Sequence, residues 1–191
     1  DYFAPWWDNA IFDYYHHAGQ GTNVSGLAVS AGNIVTEGVS GEGYMDTLYI
    51  SEDNHASFTA PEGDLYNAIS GNPMLMVAGE TVEFGDHPYL QTRHPRTAVG
   101  LTEDGNTLII VVVDGRQPNY SEGITLPELS QIFLENGAYS AMNLDGGGSS
   151  TLIIEDENGN PTMLNSSIHS RIVARERPVA NQLGVYAKPI R

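Results

Sequence analysis

The stretch from Ile109 to Leu144 limits the fold more than any other part of the chain. Leu108-Ile109-Ile110-Val111-Val112-Val113 is an unbroken apolar run. It does not alternate, so it reads as a strand covered on both faces and central in its sheet. Thr125-Leu126-Pro127-Glu128 is a capping box with proline in the first helical turn. Leu126, Leu129, Ile132 and Phe133 continue as an apolar stripe, and Gly137 after Asn136 stops the helix, which therefore covers about residues 125–136. Tyr139–Leu144 is then a second strand. Strand, helix and strand in that order predict a crossover, and with it an α/β (α+β-like) domain.

The remainder is rich in short strands. Gly26–Ser30, Thr47–Ile50, Ala56–Thr59 and Met74–Val77 carry strand patterns between Gly, Asn and Pro punctuation. Thr97–Leu101 and Thr107–Val113 flank Glu103-Asp104-Gly105-Asn106, a hairpin turn. Thr151–Ile154 and Leu183–Ala187 complete the strands, and Glu155-Asp156-Glu157-Asn158-Gly159-Asn160-Pro161 reads as a hairpin turn rather than a calcium loop, because the ligand spacing and terminal glutamate are missing. The expected architecture is a strand-rich mixed sheet with one capped helix. At 191 residues and 40% apolar content, the chain is sized for a single domain spanning residues 1–191.

Charge and composition remove several function classes. Lys and Arg total 8 against 24 Asp and Glu, for a net charge of −16, so there is no basic footprint for nucleic acid. No apolar run approaches the roughly 20 residues of a membrane span. With no cysteine there is no disulfide frame, thiolate zinc site or cysteine nucleophile. Tyr2, Phe3, Trp6, Trp7, Phe12, Tyr14 and Tyr15 crowd the first fifteen residues, as a sugar-stacking rim or as a loop docked by its own rings.

Of three Asp-Gly pairs, Asp104-Gly105 is a plain turn, while Asp114-Gly115 and Asp145-Gly146 each end a core strand. Strand ends on either side of one crossover helix lie close together, which predicts Asp114 and Asp145 in one cleft. Period two puts Asn143 and Asp145 on one face and Met142 and Leu144 on the other. Gly146, Gly147 and Gly148 lack Cβ atoms and leave backbone N–H groups open to a ligand, although a glycine-rich tight turn explains them too. No Gly-Lys-Ser/Thr follows, so this is no P-loop. Ser149 lacks the elbow of a serine hydrolase. His16, His17, His55, His87 and His169 show no zinc spacing.

Lys188 is the only lysine, and the arginines gather at Arg93/Arg96, at Arg116 and at Arg171, Arg175 and Arg177. Guanidinium forks suit bidentate carboxylate or phosphate recognition, against the alternative that each pairs with one of the many acids. His94 stands out because Pro95 holds it extended beside Arg96.

Four stretches together resemble the phosphodiester glycosidase family: His94-Pro95-Arg96-Thr97, Val113-Asp114-Gly115-Arg116, the segment from Ser121 to Leu129, and Asn143-Leu144-Asp145-Gly146-Gly147-Gly148-Ser149-Ser150-Thr151. Asn165, the run Arg175-Glu176-Arg177-Pro178-Val179-Ala180-Asn181 and Leu183-Gly184-Val185 extend the similarity, which is strongest over residues 94–185. Asp1-Tyr2-Phe3 resembles the end of an Asn-Gly-Gly-Phe-Phe-like segment, and the resemblance then implies that the family's first strands are absent here.

The resemblance implies hydrolysis of the bond between an anomeric carbon and a bridging phosphate, with an N-acetylhexosamine or related glycan as the sugar. Asp145 is the first candidate for the catalytic carboxylate and Asp114 the second, with Arg96 and Arg116 on the departing phosphate. His94, Asn143, Gly146, Gly147, Gly148, Ser149, Ser121, Asn165, Arg175 and Arg177 are candidate substrate contacts. The expected partner is a phosphodiester-linked carbohydrate, with the chain's own missing N-terminal fragment as a further one. No cofactor is required; so many acids leave room for a structural calcium ion. The family implies an extracellular or cell-envelope setting. Two alternatives stay open: a carbohydrate-binding or adhesive module without turnover, and a hydrolase of an envelope or exopolysaccharide phosphodiester.

Overall fold

The computed structural model describes residues 24–37 and 45–187. The aromatic-rich start, His16, His17, Lys188 and Arg191 lie outside the described residues. Five strands form the first sheet: β1 (Leu27–Ser30), β2 (Asn33–Glu37), β3 (Asp46–Ile50), β4 (Ala56–Ser57) and β5 (Asn67–Gly71), in the order β2-β1-β5-β3-β4. The second sheet contains β6 (Met74–Val77), β7 (Glu80–Thr81), β8 (Arg96–Leu101), β9 (Leu108–Val113) and β10 (Ser140–Asn143), in the order β7-β6-β10-β8-β9. A one-turn helix α1 (Pro88–Gln91) precedes β8, and α2 (Leu126–Glu135) joins β9 to β10. Two small hairpins follow, β11 (Ile153–Glu155) with β12 (Pro161–Met163), and β13 (Ile168–His169) with β14 (Ile172–Val173).

The layers are sheet, sheet, helix. On one side of the second sheet, Val99, Leu101 and Met142 pack against Leu48 and Ile69 of the first. On the other, Leu75, Ala98 and Ala141 meet Leu126, Leu129 and Phe133 of α2. Gly100 permits this closeness, since a Cβ there would stand 2.6 Å from the Phe133 ring. The capping box predicted for α2 is present: Thr125 Oγ1 accepts from Glu128 N at 3.3 Å, and Glu128 Oε2 accepts from Thr125 N at 3.0 Å. The strand-rich α+β class read from the sequence is therefore the observed one, as are the hairpins at residues 103–106 and 155–161.

Two expectations are corrected. The apolar run Leu108–Val113 is an edge strand, paired only with β8 among the described strands. Its lack of alternation has another cause. Ile109, Val111 and Val113 back onto the α2 core, while Ile110 and Val112 line a cleft on the opposite face. Residues 183–187 form no strand; Leu183 packs on the inter-sheet core without a ladder partner. No helix among the described residues is long and apolar enough to cross a membrane.

Candidate active site

Because β8 runs antiparallel to both β9 and β10, those two strands run parallel and end on the same side. Asp114 and Asp145 each follow one of these ends, but only Asp145 lines the two cavities described below. Their environments differ sharply.

Asp145 begins a tight bend. Its Oδ1 accepts from Gly146 N at 2.8 Å, and its Oδ2 accepts from Ser149 Oγ at 2.9 Å and from Arg177 Nη2. Gly147 N donates to Pro95 O at 2.9 Å, which ties the bend to the start of β8. A Cβ on Gly146 would lie 2.6 Å from Pro95 O, and one on Gly147 2.9 Å from Arg116 Nη1. The glycines thus allow close approach, but toward the protein's own groups. Of their three amides, those of Gly146 and Gly147 are spent internally.

Asp114 is occupied elsewhere. Oδ1 accepts from Asn165 Nδ2 at 2.9 Å and from Ser166 N at 3.0 Å, and Oδ2 accepts from Tyr120 Oη at 3.0 Å. Ser121 Oγ donates to the Asp114 carbonyl at 2.6 Å, and Asn165 also reaches Ser150 O and Leu152 N. Asp114, Ser121 and Asn165 together clamp the loop carrying Arg116 to the strand after the glycine bend. Asn143 is buried, and both its amide hydrogens are used, on Asn72 O and Leu144 O at 2.8 Å each. It has no N–H left for a ligand.

The cations divide by burial. Arg96 is 1% exposed; its Nη2 donates to the carbonyls of Tyr89 at 3.0 Å and Thr92 at 3.4 Å, and its guanidinium stands 4.7 Å from the Tyr89 ring centre. Arg116 is exposed on a left-handed residue (φ 56°), with Nη2 3.3 Å from His94 Nδ1. No carboxylate among the described residues lies within ion-pair distance of Arg116. A guanidinium only donates, so His94 Nδ1 accepts and the ring proton sits on Nε2. Burial, followed by the charges of Arg116 and Arg96, holds the His94 pKa below its ordinary 6.5. Although Arg116 keeps an exposed face, its partial withdrawal from water first, and then Arg177 and Arg96, lowers its pKa too, with Tyr89 and Asp145 opposing. Arg96, Arg116, Arg177, His94 and Asp145 therefore share one locus. Arg175 lies two residues before Arg177 on the segment leaving β14.

Two cavities open here, of about 420 and 380 Å³. Asp145 lines both, with Ser70 and Leu144. The larger adds Tyr89, Phe84, Glu83 and Asn143, and the smaller Ser149 and Arg177. Tyr89 is the site residue that sequence reasoning missed. Its ring lies 5.6 Å from that of His94, and the available signal was His87-Pro88, a capped helix start just ahead of the Arg-His-Pro-Arg run. No group of three or more His, Asp or Glu is gathered for a metal among the described residues.

A strand-rich α+β sandwich brings a carboxylate and a guanidinium cluster together at a glycine bend, an arrangement whose free guanidinium suits an anionic ligand. The model of one family, phosphodiester glycosidase, matches residues 9–186, and the chain belongs to that family. It is 30% identical over 131 residues to the N-acetylglucosamine-1-phosphodiester alpha-N-acetylglucosaminidase of Bos taurus, covering 61% of this chain and 24% of that protein. It is 47% identical over 66 residues to the SPbeta prophage-derived uncharacterized protein YomE of Bacillus subtilis (strain 168), covering 35% and 10%. The fold is similar to the zebrafish N-acetylglucosamine-1-phosphodiester alpha-N-acetylglucosaminidase catalytic domain auto-inhibited by its pro-peptide, with a TM-score of 0.57 and 24% identity over 78% of this chain and 52% of that one. The chain thus spans a quarter or less of these curated relatives.

Proposed function

We propose that the chain hydrolyses a sugar-1-phosphodiester, cleaving the bond between the anomeric carbon and the bridging phosphate. Family membership supports a hydrolase of sugar phosphodiesters, and the bovine relative's substrate makes an N-acetylhexosamine the first sugar to test. The observation that carries the reading is Arg116. It is a cation with no carboxylate partner among the described residues, set beside His94 and across one glycine bend from Asp145.

Arg116 and the His94 Nε2–H receive the phosphate oxygens. Arg96, buried beneath Tyr89, adds positive field without contact. Asp145 faces the anomeric carbon, where it steadies the oxocarbenium-like centre, attacks it or activates water. The C–O bond to the phosphate breaks, water oxygen ends on the sugar carbon, and its second proton leaves with the phosphomonoester. Phosphate departs readily as an anion, so this chemistry asks for no cofactor. A substrate of this kind belongs to envelope or extracellular glycans, which is the setting proposed.

The test is sugar release from an N-acetylhexosamine-1-phosphodiester by D145N and R116Q. Each is expected to lose at least about a hundredfold in turnover with an unchanged melting temperature. Undiminished release by either variant overturns that residue's role.

A further inference from the structure

We infer that Ser149 and Arg177 are positioning residues that hold the Asp145 carboxylate in one orientation. The inference rests on the reading of Asp145 given above, and it reassigns two residues that sequence reasoning placed on the substrate.

Counting donors and acceptors carries it. A serine hydroxyl has one hydrogen and two lone pairs. The hydrogen of Ser149 goes to Asp145 Oδ2 at 2.9 Å, and the oxygen accepts from Arg177 Nε at 2.9 Å and from Arg177 Nη2 at 2.6 Å. Nothing remains for a substrate oxygen, and the group that accepts the Ser149 proton is the Asp145 carboxylate, which the proposed function assigns to the sugar carbon. Arg177 Nη2 also reaches Asp145 Oδ2 and Gly146 O, the latter at 3.2 Å. One edge of the guanidinium therefore straddles a hydroxyl and a carboxylate, a geometry that an ammonium cannot copy.

The backbone is arranged for the same end. The single 3-10 turn Gly147–Ser149 brings Ser149 back over Asp145, four residues earlier. Arg177 arrives from beyond the β13–β14 hairpin, and its N–H donates to Gly148 O at 3.2 Å. The Asp145 and Arg177 side chains are 23% and 26% exposed, so the pair is largely shielded from water. Shielding, and a guanidinium edge shared between the carboxylate and its serine partner, separate it from an ordinary surface ion pair.

The experiment measures kcat and KM for S149A, S149T and R177K, with D145N as reference and melting curves for all. Expected are a fall in kcat of about tenfold for S149A and about a hundredfold for R177K. KM should stay within about twofold, and S149T should recover most of the loss in S149A, because the hydroxyl is restored. A raised KM at constant kcat would make these residues substrate contacts and overturn the inference. So would a failure of S149T to recover the turnover lost in S149A.

A crystal structure of S149A separates this failure from that of the parent reading. If D145N keeps its turnover, the role of Asp145 is wrong, and an Asp145 carboxylate that turns out of its orientation in S149A still establishes the frame. If D145N is inactive while S149A changes neither rate nor carboxylate orientation, the frame is wrong and the role of Asp145 stands.

Discussion

Gly146 and Gly147 are adjacent and chemically identical, yet alanine should damage the protein differently at each. At Gly146 the backbone is extended (φ −123°), which any residue adopts, but the new Cβ would meet Pro95 O at 2.6 Å. That oxygen belongs to the backbone leading into β8 and accepts from Gly147 N at 2.9 Å, so it cannot retreat without losing that bond. Overpacking costs about 1–3 kcal/mol and an orphaned buried N–H about as much again, which puts G146A at roughly 2–6 kcal/mol. At Gly147 the penalty has another source. The left-handed backbone (φ 62°) costs an alanine about 1–2 kcal/mol. The contact, 2.9 Å to Arg116 Nη1, falls on the end of a flexible side chain. Restoring a separation of about 3.5 Å moves the guanidinium by roughly half an ångström. Since a misplacement of about 1 Å costs on the order of a hundredfold, G147A should lose roughly tenfold in turnover. Urea melts combined with sugar-release assays on both variants test this. If G147A proves the less stable of the two, or keeps full turnover, the division of labour within the bend is refuted.

Two other perturbations act on the same locus. The depressed His94 pKa means that the unfolded chain binds a proton which the native fold resists, so stability should rise with pH up to about 6.5 and flatten above. In NMR titration, R116Q should raise the His94 value only partway toward 6.5, because burial is the larger cause; an unchanged value would refute the coupling. D114A strands Ser166 N and Asn165 Nδ2 together, and should cost about 2 kcal/mol in a thermal melt while loosening the loop of Arg116. Full stability in D114A would show that the clamp has no weight.

Elements governed by short-range chemistry were legible in the sequence. Thr125 and Glu128 cap each other across three residues, and Asp104 folds its own turn by accepting from Thr102 Oγ1 and Asn106 N, which also takes its pKa down to about 2. The crossover followed from order alone. What failed was the inference from an apolar run to a central place in the sheet. Ile110 and Val112 have an apolar setting because a cleft lies over them, and hydrophobicity does not distinguish a cleft from a neighbouring layer. Residues 183–187 fail for a related reason: the apolar residues Leu183 and Val185 are one partly buried side chain and one exposed, and neither implies a hydrogen-bonding partner.

The site shows where residue type stops being informative. Arg96, Arg116 and Arg177 are identical letters in motifs that looked equally suited to a phosphate. The fold spends Arg96 on two carbonyls beneath Tyr89, and Arg177 on Asp145 and Ser149. Only Arg116 keeps a guanidinium edge facing outward without a carboxylate among the described residues. The same accounting separates Asp145 from Asp114, whose acceptors are filled by residues 51 and 52 positions away. Such pairings depend on which loops the two sheets bring together, and no local pattern encodes them. In an acidic chain with so few cations, a guanidinium that stands at the site with no acid in ion-pair contact among the described residues is therefore the strongest pointer to an anionic ligand.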